Sequence, residues 1–127
     1  MIGRGIAATS LAVCVSLCAS PVADATQYYT RSFIKWGGSE CLWVTSASYG
    51  NYWAISTDYV CDQDGDHQIV INTPALSGQW VGADPIIKPG DGVTWVGCSL
   101  IINGNLDFAD FAEAGDGHNA NCLRILK

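Results

Sequence analysis

Short stretches in which β-branched, aromatic and aliphatic side chains alternate with polar ones recur along this chain, each bounded by Gly, Asn, Asp or Pro. A period of two is that of a strand, and helix signals are scarce. The pattern predicts strands over Tyr28 to Ile34, Cys41 to Ala47, Tyr52 to Cys61, Gln68 to Asn72, Gln79 to Val81, Val93 to Ile102, Leu106 to Phe111 and Asn121 to Leu126. Seven or eight short strands at this spacing describe an all-β sandwich or barrel. The Gly- and Pro-rich GADPIIKPGDG, residues 82 to 92, reads as a single long loop. No internal repeat, low-complexity tract or interdomain linker interrupts the rhythm.

Two turns carry register, because directly opposed side chains in an antiparallel pair share a face. In CDQDGDHQIVI, residues 61 to 71, a two-residue Asp64-Gly65 turn would scatter polar and apolar groups over both faces. A three-residue loop, Asp64-Gly65-Asp66, opposes Cys61 to Ile69 and Tyr59 to Ile71 and makes one face apolar. The same logic over Asn103-Gly104-Asn105 opposes Ile102 to Leu106 and Leu100 to Phe108, with Ile101 meeting Asp107. Asp66 and Asn105 would then take the left-handed conformation that Asp and Asn tolerate. The aspartates are chiefly turn chemistry on this reading. An EF-hand loop begun at Asp62 needs Gly sixth and Glu twelfth, and those positions hold His67 and Thr73. Asp62, Asp64 and Asp66 are left at most with a loosely held extracellular calcium.

Arg4, an apolar run from Ile6 to Ala19 and the small residues of Ala23-Asp24-Ala25 make residues 1–25 a secretory signal peptide cleaved after Ala25. The run is shorter than a bilayer span, and an uncleaved anchor is the rival reading. Neither Cys14 nor Cys18 follows the small residue of a lipoprotein site. Residues 26–127 then form one secreted domain of about 100 residues, with no membrane insertion once the leader is gone. The net charge of −6 argues against nucleic acid and anionic lipid as partners, since both call for a basic surface.

Two of the six cysteines fall in the leader. Cys41, Cys61, Cys98 and Cys122 remain for an oxidising compartment, an even set that reads as two disulfides. Cys41 to Cys61 and Cys98 to Cys122 is the favoured pairing, because each joins neighbouring strands; a bridge across the halves, Cys41 to Cys98, competes with it. No two of these cysteines have the close spacing of a zinc knuckle.

Candidate chemistry is thin. Asp107, Asp110 and Glu113 in DFADFAEAGD stand three apart, a spacing that would align carboxylates on a helix for a small hydrolase and leave exposed acids on a strand. His67 and His118 lie beside acidic, Gly-containing turns. No nucleophile elbow, phosphate loop, dinucleotide fingerprint or zinc-protease helix occurs, and oxidised cysteines rule out a thiol nucleophile. The chain reads as a non-enzyme that uses no cofactor and no metal.

The aromatic inventory says more, with five Trp and five Tyr in so short a chain. Trp43, Trp53 and Trp95 fall in predicted strands, and Trp43 and Trp53 share parity with Cys41 and Cys61, which places them in the core against the disulfide. Trp36, before Gly37-Gly38, and Trp80, in GQWVGADP, are expected at the surface with Tyr28 and Tyr29. Tyr49 and Tyr52 extend this aromatic surface. Such rings stack on sugars and anchor protein interfaces.

Over Val93 to Lys127, VTWVGCSLIINGN followed by NANCLRILK, the strand cysteine, alternating aliphatics, Asn-Gly turn and last-strand cysteine resemble small exported mycobacterial proteins. The pattern is similar in particular to the small accessory (MmpS-type) partners of mycobacterial lipid transporters. That resemblance implies an immunoglobulin-like antiparallel β-sandwich and assigns no site residue. Taken together, these features lead us to expect a secreted, non-catalytic binding or accessory protein of the cell envelope or extracellular space. Its partner would be an envelope protein or a glycan, met through Trp36, Trp80, Tyr28 and Tyr29. A carbohydrate-binding module using exposed Trp and Tyr, and a hydrolase using Asp107, Asp110 or Glu113, are the alternatives.

Overall fold

Alternation is realised as strand almost wherever it occurs. The structure, a computed structural model, describes residues 27–62 and 65–127; the leader assigned to residues 1–25 and the turn residue Asp64 lie outside the described residues. Nine strands follow in chain order: β1 Gln27–Gly37, β2 Cys41–Ser48, β3 Asn51–Cys61, β4 Gln68–Leu76, β5 Trp80–Val81, β6 Ala83–Ile86, β7 Trp95–Ile102, β8 Asn105–Glu113 and β9 Arg124–Ile125. No helix occurs among the described residues.

Every pairing is antiparallel. One sheet has the order β4-β1-β7-β8, a second β3-β2-β6, and β9 pairs with β5 in a two-residue ribbon. The layering is that of an immunoglobulin-like antiparallel β-sandwich, while the order of strands is this chain's own. Ile34, Trp36, Val96 and Cys98 from the larger sheet meet Leu42, Val44 and Ala83 from the smaller one. Each large aliphatic so buried contributes about 1.5–3 kcal/mol. Thr30 and Ser32 are the buried polar side chains among the described residues, and Thr30 Oγ1 donates to Thr73 O at 2.8 Å, which offsets its desolvation cost. Both favoured disulfides form, Cys41–Cys61 between the neighbouring strands β2 and β3 and Cys98–Cys122 from β7 to the segment before β9.

Strand existence was legible from alternation, but partner choice was not. Cys61 lies opposite Cys41 rather than Ile69, and Ile69 lies opposite Ile34, so β3 and β4 belong to different sheets instead of forming a hairpin. Each strand pairs instead with one neighbour in its own sheet, β3 with β2 and β4 with β1, and the two ends are tied by Gln68 N donating to Asp62 Oδ2 and Trp36 N to His67 O. Gly65 and His67 take positive φ, at 82° and 53°, and Asp66 does not.

At the second turn Asn103 and Gly104 both take positive φ, the two-residue turn that suits strand twist. Ile102 therefore opposes Asn105 and Ile101 opposes Leu106. A bulge makes Asp107 the extra residue and restores the expected Leu100–Phe108 pair. Within the stretch expected to be loop, Ala83–Ile86 forms edge strand β6 against β2, and Pro85 is tolerated at that edge.

Candidate functional site

The aromatic residues expected at the surface divide into three environments. Trp36 is 1% exposed. It shares parity with Thr30, Ser32 and Ile34, so it faces the core at the end of β1, where its indole N–H donates to Ser39 O at 2.8 Å and its ring stacks on His67. It cannot be a contact residue, and the Ile34-Trp36 alternation was the signal that outweighs the following glycines. Tyr29 is 69% exposed on the outer face of the larger sheet. Tyr28 and Trp80 come together elsewhere, on one cleft.

The tryptophans assigned to the core are displaced in the opposite sense. Trp43 and Trp53 do share a face with Cys41 and Cys61, but that face looks outward, because Leu42, Val44 and Val60 take the inner positions. Trp53 is 60% exposed, and Trp43 is half-buried between Tyr59 and the Lys88 ammonium, 4.4 Å from its ring centre. Both parities of β2 are apolar, so alternation alone leaves open which one faces in.

The cleft has a volume of about 790 Å³ and lies at the end of the sandwich carrying the Asn103-Gly104 turn. Tyr28, Trp80, Ile102 and Leu106 supply apolar surface, and Asn105, Asp107, Arg124 and Lys127 supply polar groups. Tyr28 and Ile102 rest on a small cluster of Ala75, Val81, Leu100 and Leu126, which fixes that wall. Trp80 is set by the β5–β9 ribbon, where it opposes Ile125, and by Leu126 N donating to Gln79 O at 2.8 Å.

The bulge turns Asp107 toward Arg124, whose Nη1 lies 3.2 Å from Oδ2, while the guanidinium sits over the Phe108 ring at 4.3 Å. The Arg124 Nε–H is buried and meets no acceptor among the described residues. The sequence marks Asp107 only as one of three candidate acids and Arg124 not at all, since their meeting depends on a bulge in one strand and on pairing in another.

The segment that carries Arg124 is held by carboxylates. Asp84 Oδ1 accepts from Cys122 N at 2.6 Å and Leu123 N at 2.7 Å. Burial raises its pKa against the pull of those two N–H groups, and the charge of Asp110 adds to the rise. Asp110 accepts from Asn121 N and Phe111 N, which hold its carboxyl below its ordinary value. Gly82, at φ +83°, lets this segment approach, because a Cβ there would strike Cys122 O.

The three acids of residues 107–113 do not converge. Asp107 pairs with Arg124, Asp110 holds backbone donors opposite Cys98, and Glu113 stands opposite Trp95 on the other face of β8. His67 packs on Trp36, and His118 Nε2 lies 3.7 Å from Asp116 Oδ2 at the surface. Among the described residues no group of three or more His, Cys, Asp or Glu is placed to hold a metal, and no helix is long and apolar enough to cross a membrane. The fold and cleft together define a small disulfide-stapled β-sandwich domain. No protein-family model matches this chain, and no curated protein matches it.

Proposed function

We propose that this chain is an exported, non-catalytic binding domain that works at the cell envelope or outside the cell and takes its ligand in the Tyr28–Trp80 cleft. The observation that carries the reading is the meeting of two aromatic rings and the Arg124–Asp107 pair on one open cleft of about 790 Å³, within the size range of ligand sites. Two disulfides suit an oxidising compartment. The domain uses no cofactor, and its partner is an envelope protein or a glycan. For a protein partner, the likeness of residues 93–127 to transporter accessory proteins makes an envelope transporter the first to try.

A carbohydrate-binding module is the second reading, favoured by Trp80 and Tyr28 lying beside Asn105, Asp107 and Arg124, a stacking surface next to hydrogen-bonding groups. Cell-wall glycan fragments and purified envelope proteins, titrated against wild type, Trp80→Ala and Tyr28→Ala with thermal unfolding as the folding control, separate the readings. A glycan-induced change in tryptophan emission lost in both folded variants supports the module. Association with an envelope protein, lost in the same way, supports the accessory role. Binding that both folded variants retain overturns the assignment of the cleft.

A further inference from the structure

The outer face of the larger sheet holds a trough that shares no residue with the cleft. Since opposed residues share a face, Gln68, Lys35, Gly97 and Phe111 form one row across β4, β1, β7 and β8, and Val70, Phe33, Ser99 and Ala109 form the next. Trp95 stacks on Phe111 with ring centres 5.8 Å apart and is seated over Gly37, where a Cβ would collide with the indole. Gly97 and Ser99 make the floor, with Trp95 and Phe111 on one side and Phe33 and Lys35 on the other, around about 460 Å³.

Gly97 has no need to be glycine for the sake of the fold. It is not among the glycines with positive φ, and a Cβ there would meet Phe111 Cδ1 at 3.7 Å and Trp95 Cζ3 at 3.9 Å, ordinary contacts. Glycine inside a strand costs about 0.5–1 kcal/mol and often marks the close approach of a ligand. The position keeps the trough open.

Charge selects the ligand. The chain carries a net −6, yet Lys35 stands in the trough wall without an ion pair among the described residues, and Arg31 lies four residues away on the same face, over Phe33. Asp110 borders the trough with its carboxylate occupied by the N–H groups of Phe111 and Asn121. The trough lies between β1 and β7, both paired on each side, so an extended peptide would find no open backbone there.

We infer that the trough is a second binding site and that it takes an acidic sugar unit of a polysaccharide. The C–H face of the pyranose ring lies against Trp95 and Phe111, its carboxylate meets Lys35, and Gln68 and Ser99 meet its hydroxyls. The test is calorimetric titration with oligogalacturonate, oligoglucuronate and oligomannuronate, their methyl esters and oligoglutamate. Wild type binds an oligouronate, and binding weakens about tenfold on esterification, the loss of one charge-assisted contact. Lys35→Gln brings the acid form down to the level of its ester. Gly97→Val removes binding with the thermal midpoint unchanged or raised, whereas Trp80→Ala leaves it intact, so failure of the cleft and of the trough are told apart. No binding of any oligouronate, equal affinity for acid and ester, retained affinity in folded Gly97→Val, or equal binding of oligoglutamate would each overturn the assignment.

Discussion

The two disulfides close loops of nearly equal length, 20 and 24 residues apart in sequence, and hold different kinds of structure. Cys41–Cys61 links directly opposed residues of neighbouring strands on an outward face, with Cα atoms 4.0 Å apart. Cys98–Cys122 is buried, spans 6.1 Å between Cα atoms, and anchors a segment that has almost no strand of its own. Around it the Asp84 carboxylate accepts from the backbone N–H groups that a ladder would otherwise satisfy, and the Arg124 wall of the cleft depends on the result. Chain entropy gives each bridge about 3 kcal/mol. The difference lies in what each leaves behind when it is gone: one exposes a hairpin still paired by its backbone, the other opens the core and frees a wall of the cleft.

The double variant Cys98→Ala/Cys122→Ala therefore has the largest expected effect, about 4–5 kcal/mol in urea unfolding, because a void adds to the lost entropy term, and hydrogen exchange should rise over residues 119–126. Cys41→Ser/Cys61→Ser should cost about 3 kcal/mol and leave exchange in that segment unchanged. An equal loosening of the segment in both would erase the contrast. Limited reductant followed by alkylation and peptide mapping should modify Cys41 and Cys61 first, since Cys98 and Cys122 are shielded by the core; the reverse order would contradict their burial.

Asp84→Ala should cost about 2–3 kcal/mol by orphaning two backbone N–H groups, whereas Asp84→Asn, which keeps the acceptor, should stay within about 1 kcal/mol of wild type. The smallest effects are in pH. Because burial raises the Asp84 pKa, its contribution is fully present below the unfolded value and is lost as pH rises through the higher folded one. Asp84→Asn should then gain stability relative to wild type as pH is raised from about 4 to 7. Asp110 has the opposite sign. Its lowered carboxyl contributes above the unfolded value, and that contribution is lost as pH falls through the lower folded one, so Asp110→Asn should flatten the acid limb of a midpoint-against-pH curve. An unchanged acid limb would show that the N–H groups of Asn121 and Phe111 do not hold this carboxylate.

How far each feature could be read from the sequence follows the range of the interaction behind it. The Cys41–Cys61 bridge joins neighbouring strands through a short separation and was legible, whereas the Leu100–Phe108 pair, expected from a three-residue loop, is reached through a two-residue turn and a bulge. The proposed Cys61–Ile69 register was equally local in form and failed, since β1 and β2 offered those strands better partners. Of the expected contact residues, Tyr28 and Trp80 share the cleft, Tyr29 is turned to the other side of its sheet, and Trp36 is core. The pairing of Asp107 with Arg124 was hidden, because a one-residue bulge has no reliable mark in sequence.

The chain by itself determined the period-two alternation, the places where turns fall and which cysteines could bridge, all consequences of short-range sterics and covalent chemistry. Only the tertiary structure decided which strands are neighbours, which of two apolar faces turns inward and which aromatic rings stay wet. Backbone hydrogen bonds are the same for every residue, so a strand edge accepts any partner, and the choice is made by how well all side chains pack at once.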